Sequence, residues 1–318
     1  MSENLLAISP INDDQVHLLT GLDVNVFTPK ELDQKISPAD ITIMYGWKQD
    51  ISSKLLDATN SKLKWIHAIS AGVDYLPLAT LTKRGIKLTN ASGIHATSIS
   101  QSVLAYILHF VRGLDIAREH QIKHQWEKNA DTNPATISDY KYVVFGTGHI
   151  GQQIGRLLQT LGGHTIGVNT TGHPAEYFDE TIALNKIDDR VWHADVIINI
   201  MPLTDDTHHF YDSDFFAHFE NLFLFVNVGR GPSVDSKALI TALEDGHVSH
   251  AALDVFETEP LPDDSPFWSM KNVIVTPHNT GVIRHFKKAQ LELFMPNLKQ
   301  YLQDGSFKYN QVDLIKGY

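Results

Sequence analysis

Short apolar runs alternate with helix-length polar or amphipathic stretches along most of this chain. The first series of runs comprises Leu5–Ser9, Val24–Thr28, Ile41–Tyr45, Lys64–Ile69 and Ile86–Thr89. The second series comprises Tyr142–Phe145, His164–Val168, Val196–Ile200, Leu222–Val228, Ala251–Val255 and Val273–Val275. Strands that alternate with helices form parallel sheets that are covered on both faces. The pattern therefore predicts an α/β protein with two parallel sheets, of which the second is the larger.

Two further segments carry apolar residues at helical spacing. Ala96–His120 contains few helix-breaking residues and has Ile99, Val103 and Ile107 at this spacing, so we expect one long helix there. The C-terminal tail repeats the pattern. Pro296 falls inside it, where a kink or a restart of the helix is expected because proline lacks the backbone N–H.

Length, charge and cysteine content exclude several classes of protein. The 318 residues suggest about two domains at roughly 150 residues each. The formal net charge of -11 argues against a nucleic-acid partner, because such proteins neutralise phosphates with basic residues. Cysteine is absent, which excludes disulfides, thiolate catalysis and Cys-ligated metals. No signal peptide or membrane-spanning stretch is recognisable, so we expect a cytoplasmic protein without a membrane partner.

A glycine-rich turn follows the run Tyr142–Phe145. Residues 146–151 read Gly-Thr-Gly-His-Ile-Gly and match the G-x-G-x-x-G pattern between a strand and a helix. In this motif Gly146 allows the tight turn, Gly148 lets the backbone approach a pyrophosphate, and Gly151 permits close helix–strand packing. The helix N-terminus favours the anion. The motif predicts dinucleotide binding, and the alternative is a glycine-rich turn without a ligand.

The end of the next strand indicates which dinucleotide is bound. NAD sites usually carry Asp or Glu about 20 residues after the motif, where it holds the ribose 2′-hydroxyl. Here the position is Asn169, followed by Thr170, Thr171 and His173. No carboxylate repels a 2′-phosphate and polar groups are present to receive it, although the turn has no Lys or Arg. The sequence favours NADP(H) over NAD(H), with a site that uses either one as the alternative.

Polar clusters fall at three predicted strand ends of the second series, the edge where open α/β sheets bind ligands. They contribute Arg230, the neighbouring carboxylates Glu257 and Glu259, and His278. Arginine can clamp a carboxylate with two parallel hydrogen bonds. Histidine donates a proton near neutral pH, and a nearby carboxylate stabilises its charged form. The set suits hydride transfer to a 2-keto acid, although each residue alone is also explained as an ion-pair partner or a turn residue.

Other histidines do not indicate a metal site. His120 and His124 are four residues apart on a predicted helix, but no third ligand and no His-Glu-x-x-His motif accompany them. His208 and His209 are adjacent and would point apart on a helix. We therefore expect no metal.

The chain resembles the D-isomer-specific 2-hydroxyacid dehydrogenases over most of its length. The resemblance is carried by the segments 70–74 (Ser-Ala-Gly-Val-Asp), 227–231 (Asn-Val-Gly-Arg-Gly), 251–256 (Ala-Ala-Leu-Asp-Val-Phe), 259–262 (Glu-Pro-Leu-Pro) and 272–278 (Asn-Val-Ile-Val-Thr-Pro-His). These segments are far more specific than the glycine motif alone. The early Tyr45-Gly46-Trp47 makes the chain more similar to the glyoxylate and hydroxypyruvate reductase branch.

The resemblance implies a fold and an assembly. It implies two doubly wound parallel-sheet domains, one a flavodoxin-like substrate domain of residues 1–94 and 284–318. The other is a Rossmann cofactor domain of residues 95–283, through which members of the family usually form a homodimer. The implied activity is the NAD(P)H-dependent reduction of a small 2-keto acid to a D-2-hydroxy acid.

The resemblance also assigns roles to residues. Arg230 would bind the substrate, His278 would be the acid/base, and Glu259 would orient and charge it. Backbone amides of Ala71, Gly72 and Val73 would hold the substrate carboxylate, with Trp47 beside the pocket. The expected cofactor contacts are Gly146, Gly148, His149, Ile150, Gly151, Asn169, Thr170, Thr171, Pro202, Thr207, Val228, Gly229, Asp254 (near the nicotinamide amide) and Gly281.

The chain departs from the family pattern at a few points. Gln101 stands where the family usually has Glu, and Asn169 replaces the acidic residue of NAD sites. Glu259 stands where formate-oxidising relatives carry Gln, which disfavours formate as the substrate. The absence of a C-terminal extension argues against the long phosphoglycerate dehydrogenases. A different class of function remains as the alternative: transcriptional corepressors of the same fold sense dinucleotides without turnover.

Overall fold

The computed structural model describes residues 2–128 and 135–317. The chain forms two compact units: Met1–Ile94 together with Ile283–Tyr318, and His95–Val282. We refer to them as unit 1 and unit 2. Within the described ranges, no helix has the length and apolar character that crossing a membrane requires.

Unit 1 contains a five-stranded parallel sheet. Its strands are β1 (Glu3–Ala7), β2 (Val24–Phe27), β3 (Ile43–Tyr45), β4 (Trp65–His67) and β5 (Lys87–Thr89), and its first helices are α1 (Asp13–Thr20), α2 (Gln49–Asp57) and α3 (Leu78–Arg84). The spatial order is β2-β1-β3-β4-β5. This is the flavodoxin-like order, whose ligands bind at the carboxyl ends of the strands.

Unit 2 contains a seven-stranded parallel sheet. Its strands are β6 (Lys141–Phe145), β7 (His164–Asn169), β8 (Glu180–Ala183), β9 (Val196–Asn199), β10 (Leu222–Asn227), β11 (Val248–Leu253) and β12 (Val273–Val275). Its helices are α4 (Ala96–Val111), α5 (Leu114–Ile122), α6 (His149–Thr160), α7 (Asp189–Trp192), α8 (Ser213–Ala217) and α9 (Ser236–Glu244). The spatial order is β12-β11-β10-β9-β6-β7-β8, a Rossmann arrangement with one additional edge strand.

The central strands of unit 2 are buried on both faces, as parallel sheets require. Val143, Val144 and Phe145 of β6 are 0% exposed, and side chains of alternating direction enter two separate apolar clusters. The two sheets confirm the predicted α/β class. Because parallel strands end together at one edge of the sheet, this architecture also brings the polar residues after β10, β11 and β12 side by side.

Three sequence expectations differ from the structure. The long helix predicted over Ala96–His120 is two helices, since Gly113 between α4 and α5 adopts a left-handed φ of 59°. Strand β8 was not predicted, because it is a short edge strand in which two of four residues are buried. The final helix, α10 (Phe286–Asp304), belongs to unit 1 and runs through Pro296 without a restart. Its buried face holds it against the sheet, where the Phe294 ring stacks 5.0 Å from that of Trp65.

Candidate active site

The glycine-rich turn connects β6 to α6, and its three glycines have different surroundings. Gly146 adopts a φ of 110°, a left-handed conformation that side chains disfavour. A Cβ on Gly151 would collide with the carbonyl oxygen of Gly146, so only glycine lets α6 pack this closely. At Gly148, in contrast, a Cβ would meet no atom within 4 Å. The backbone at Gly148 therefore faces open space, as approach by a pyrophosphate requires.

The N-terminus of α6 is suited to an anion. Gly148 is the N-cap residue and no side chain caps the helix. The N–H groups of His149, Ile150 and Gly151 lie in the first turn, where an α-helix provides no carbonyl partners. Their dipoles add to a partial positive charge at this end. The turn and the helix together fit the pyrophosphate of a dinucleotide.

Asn169 ends β7, and its side chain is bonded both within its own loop and, through Nδ2, to the Thr147 hydroxyl of the glycine-rich turn at 3.1 Å. The Oδ1 atom accepts hydrogen bonds from the backbone N–H groups of Thr171 at 3.3 Å and Gly172 at 2.7 Å. The Nδ2 atom donates to the backbone oxygen of His173 at 2.9 Å. The carboxamide thus shapes the loop, while Thr170, Thr171 and His173 are exposed at its surface. Residues 169–173 include no carboxylate, and the first acidic residues of the loop are Glu176 and Asp179.

A turn after β9 holds two of the expected cofactor residues. The Thr207 hydroxyl donates to the backbone oxygen of Pro202 at 2.8 Å and accepts from the N–H of Thr204 at 2.7 Å. Thr207 is 6% exposed, so its hydroxyl stabilises the turn that presents Pro202. At the neighbouring strand end, the N–H of Val228 donates to the backbone oxygen of Asn199 at 3.1 Å.

His278 and Glu259 form a hydrogen-bonded pair. The Nδ1 atom of His278 lies 2.8 Å from Oε2 of Glu259, and the side chains are 54% and 37% exposed. The other carboxylate oxygen of Glu259 accepts from the N–H of Phe256 at 3.0 Å, which fixes its orientation. His278 itself has a left-handed φ of 50°, and its N–H donates to the backbone oxygen of Asp254 at 2.8 Å. Both partners are thus held by the backbone that follows β11.

The Asp254 carboxylate is 1% exposed and fixes the segment that carries His278. Its Oδ1 accepts from the Thr276 hydroxyl at 2.6 Å and from the N–H of Asn279 at 2.9 Å. Its Oδ2 accepts from the Thr280 hydroxyl at 2.5 Å. Sequence reasoning expected Asp254 beside the nicotinamide and missed this anchoring role. Within the same unit, the backbone oxygen of Gly281 bonds to Nδ1 of His95 at 2.7 Å.

Buried asparagines, which sequence reasoning missed, hold the segment that carries Arg230. Asn227 is 1% exposed, and its Nδ2 donates to the backbone oxygen of Arg230 at 3.1 Å. Its Oδ1 accepts from Asn199 Nδ2 at 3.0 Å and from the N–H of Gly229 at 3.1 Å. Arg230 is half-buried, and its Nη1 donates to the oxygen of Gly229 at 2.9 Å. An asparagine directly after an apolar strand was the available signal.

The rival carboxylate Glu257 has different partners. Its Oε1 lies 2.7 Å from Nε2 of His209, and its Oε2 accepts from the N–H of Ser236 at 2.9 Å. Burial alone raises the pKa of Glu257, but the hydrogen bonds from Ser236 and His209 outweigh burial and hold this pKa below its usual value. The geometry therefore pairs Glu259, and not Glu257, with His278.

The Arg230 segment and the Glu259 segment are in direct contact. Gly231 lies so close to the backbone of Phe256 that a Cβ there would collide with the Phe256 carbonyl. The strands before these segments, β10 and β11, are paired, and β11 is paired with β12 before His278. The structure thus gathers Arg230, Glu259 and His278 at one edge of the unit 2 sheet. Within residues 2–128 and 135–317, no group of three or more potential metal ligands occurs.

The expected substrate residues of unit 1 follow strand ends as well. Trp47 is half-buried after β3, next to Gly46 with its φ of 92°. Ala71, Gly72 and Val73 lie in the segment between β4 and α3. The Oγ atom of Ser70 donates to the backbone oxygen of Gly72 at 2.8 Å, which closes a tight turn.

Known proteins are similar to this chain over nearly its whole length. The chain is 29% identical to glyoxylate/hydroxypyruvate reductase B of Citrobacter koseri over 98% of both chains. A crystal structure of phosphoglycerate dehydrogenase from Lactobacillus plantarum shares 39% identity with a TM-score of 0.59, covering 98% of this chain and 100% of that one. A D-isomer specific 2-hydroxyacid dehydrogenase from Xanthobacter autotrophicus Py2, in complex with NADPH and MES, shares 26% identity over 100% of both chains with a TM-score of 0.85.

The family model for the NAD binding domain of D-isomer specific 2-hydroxyacid dehydrogenases matches residues 104–280. This range includes the glycine-rich turn, the Asn169 loop, and the strand ends that carry Arg230, Glu259 and His278. Sequence, fold and site geometry therefore agree, and the chain belongs to the D-isomer-specific 2-hydroxyacid dehydrogenase family and carries its NAD(P)-binding domain.

Proposed function

We propose that this protein reduces a small 2-keto acid, with glyoxylate and hydroxypyruvate as the first candidates, to the D-2-hydroxy acid. The observation that carries the proposal is the His278–Glu259 pair, joined at 2.8 Å on the same sheet edge as Arg230. Such a set supplies a proton donor, its carboxylate partner and a carboxylate clamp. The name of the Citrobacter koseri relative supports the choice of first substrates.

Side chains of this protein donate the proton that the reduction consumes and orient the substrate. Glu259 lies at Nδ1 of His278, so Nδ1 carries a proton toward the carboxylate and Nε2 faces away from it. His278 donates the Nε2 proton to the substrate carbonyl oxygen as that oxygen gains charge. Glu259 stabilises the charged imidazole that exists before the transfer. Arg230 binds the substrate through the planar fork of its guanidinium.

We also propose that backbone amides of unit 1 bind the substrate carboxylate. The N–H groups of Ala71, Gly72 and Val73 follow one another in a turn, a geometry that binds anions. We assign them to the substrate carboxylate and place Trp47 beside the pocket. Unit 1 is then the substrate domain and unit 2 the cofactor domain. When bound, the nicotinamide supplies the hydride that reduces the carbonyl carbon.

We further propose NADPH as the preferred cofactor. Residues 170–173, directly after β7, include no carboxylate to repel a 2′-phosphate, and the exposed Thr171 and His173 are bonded to each other at 3.0 Å. The relative from Xanthobacter autotrophicus Py2 was crystallised with NADPH. A preference for NADH of tenfold or more in Kd, about 1.4 kcal/mol, contradicts this choice.

A spectrophotometric assay tests the reaction. NADPH and NADH are each combined with glyoxylate, hydroxypyruvate, pyruvate and longer 2-keto acids. A phosphorylated 2-keto acid, 3-phosphohydroxypyruvate, belongs in the set because a relative of this length is named a phosphoglycerate dehydrogenase. NADPH binding without oxidation by any acid in the set refutes the reductase and favours the sensing function.

Two histidines, His278 and His209, allow a matched test of the general acid. His278→Ala is expected to lower kcat by roughly 10²–10⁴-fold while the Kd for NADPH stays unchanged, as for the loss of a general acid. His209→Ala is the control, because His209 is also bonded to a carboxylate in unit 2, at 2.7 Å. Equal losses in the two variants contradict the assignment of His278.

A further inference from the structure

The turn after β4 is held by side chains that approach it from two directions. We call residues 69–73, Ile-Ser-Ala-Gly-Val, the 69–73 loop. Gln290 of α10 donates through Nε2 to the backbone oxygen of Ile69. Asn90, after β5, donates through Nδ2 to the backbone oxygen of Ala71 at 2.7 Å. Gln290 and Asn90 are 1% and 7% exposed, so both donors act from a desolvated position.

The remaining carbonyl groups of the loop are bonded too, whereas none of its five N–H groups has an acceptor within the described residues. The backbone oxygen of Ser70 accepts from the N–H of Ala91 at 3.0 Å, and that of Gly72 accepts from the Ser70 hydroxyl at 2.8 Å. Within the described residues, the N–H groups of Ala71, Gly72 and Val73 have no acceptor. With the carbonyls fixed, the peptide planes are fixed, and the N–H groups keep one orientation.

A buried hydrogen-bond chain sets the orientation of the Gln290 amide. The Nε1–H of Trp65 donates to Thr89 Oγ1 at 2.9 Å, and Thr89 Oγ1 lies 2.9 Å from Nδ1 of His67. The Thr89 hydroxyl proton is therefore available to Nδ1, which puts the proton of the neutral imidazole on Nε2. Both His67 Nε2 and Gln290 Oε1 are buried without a hydrogen-bond partner within the described residues.

These two orphaned atoms are complementary. An N–H donor on His67 is the chemical counterpart of the carbonyl oxygen of Gln290, and the Gln290 side chain partly offsets the lowering of the His67 pKa by burial. Each atom is buried without a partner within the described residues, and the reversed amide would turn a second donor, instead of an acceptor, toward the N–H of His67. With Oε1 toward His67, the Gln290 amide nitrogen has to point at Ile69. The imidazole thus selects the amide rotamer that holds the loop.

The C-terminal segment also supports Asn90. Asn310 donates through Nδ2 to the backbone oxygen of Ser92 at 2.7 Å, and the N–H of Asn90 donates to the Asn310 oxygen at 3.1 Å. Asn297 of α10 is 0% exposed and accepts from the N–H of Tyr309 at 2.8 Å. Residues from 290 to 310 therefore reach both anchors of the 69–73 loop.

We propose that Gln290 is a positioning residue for the reaction: it holds the 69–73 loop so that the N–H groups of Ala71, Gly72 and Val73 converge on the substrate carboxylate. This inference rests on the proposed function, which assigns those amides to the carboxylate. Gln290 acts through the loop and touches neither the substrate nor the cofactor. Its loss weakens the binding of the keto acid and leaves the chemistry of unit 2 intact.

Gln290→Met removes both polar atoms of this side chain and keeps its length. Gln303→Met is the matched control, since Gln303 is exposed on the same helix. The KM for glyoxylate is expected to rise at least tenfold in Gln290→Met, with kcat and the Kd for NADPH within threefold of wild type. Gln303→Met is expected to match wild type. Calorimetric titration with oxalate, a dicarboxylate that cannot be reduced, is expected to show the same tenfold loss in the NADPH-bound protein.

The outcomes separate the inference from the reaction. A Gln290→Met protein with the KM and oxalate affinity of wild type overturns the inference, and so does a tenfold fall in kcat with an unchanged KM. A wild type that binds oxalate but reduces no keto acid refutes the proposed reaction, and the oxalate titration then decides on Gln290. A wild type that does not bind oxalate overturns the inference too. If Gln290→Met does not fold, Asn90→Ser removes the donor to Ala71 and tests the anchoring of the same loop, and an unchanged KM in that variant overturns the inference.

Discussion

Replacing Glu259 by Gln tests the pairing at the centre of the site. The change removes one negative charge but keeps a side-chain oxygen. That oxygen can still accept the hydrogen bond that the N–H of Phe256 donates to Glu259 at 3.0 Å. Two opposite charges at the 2.8 Å that separates His278 Nδ1 from Glu259 Oε2 attract by about 1.5 kcal/mol in water. Because both side chains are partly exposed, the value for water is the appropriate one. We expect Glu259→Gln to lower kcat roughly tenfold, because the attraction that it removes corresponds to about that factor in rate.

Glu257→Gln is the matched control, since it makes the same chemical change two residues away. Glu257 is bonded to His209 and Ser236 instead, so its loss is expected to alter kcat less than threefold. The assay measures kcat and KM for glyoxylate with saturating NADPH in both variants. Equal kcat values, or a larger loss in Glu257→Gln, refute the reasoning from the observed pairing.

Four further predictions address the other parts of the protein. Arg230→Lys is expected to raise the KM for the keto acid at least tenfold, because a point charge lacks the planar fork, and an unaltered KM in steady-state kinetics contradicts the clamp. Gly148→Ala is expected to raise the Kd for NADPH and to leave the unfolding temperature unchanged, because its Cβ meets no protein atom within 4 Å. Gly151→Ala is expected to raise the Kd and to lower the unfolding temperature, because its Cβ collides with the Gly146 carbonyl; calorimetry measures both quantities in both variants. Burial lowers the pKa of His67 from 6.5 to about 4, so the stability that neutral His67 provides is complete above pH 6.5 and is lost as the pH falls toward 4. His67→Phe should therefore reduce the loss of unfolding free energy between pH 7 and pH 5 by roughly 2 kcal/mol in urea titrations, and an unchanged pH dependence rules out this cause. The homodimer that the resemblance implies predicts a species of twice the 35.6 kDa monomer mass in sedimentation, and a wild type that sediments as the monomer contradicts it.

The fold was largely predictable because its signals are local and repeated. Runs such as Tyr142–Phe145 are buried on both faces, so their apolar character shows directly in the sequence. The misses arise where tertiary contacts decide. Strand β8 is stabilised by its pairing with β7, and the break at Gly113 is hidden because apolar spacing continues on both sides. Pro296 stays inside α10 because residues on either side of it are anchored in the core of unit 1.

The site was predictable as a set of strand ends, whereas the hydrogen bonds among its residues were not. A parallel sheet places the residues after β10, β11 and β12 at one edge, so Arg230, Glu259 and His278 could be grouped without coordinates. The choice between Glu257 and Glu259 depends on backbone direction after β11, which spacing does not encode. Gln290 lies more than two hundred residues from Ile69 along the chain, and a single sequence carries no sign of such a contact.

The route of the chain through its two units sets an order for assembly during synthesis. All of His95–Val282 is synthesised before Ile283–Tyr318, yet the latter segment supplies the Phe294 ring to the core of unit 1. The half of the molecule that is translated first is therefore the last to reach its final packing, in contrast to domains that are completed in order from the N-terminus. A chain truncated after residue 282 would contain the whole dinucleotide-binding unit, while the apolar sheet face of unit 1 would lack its covering helix.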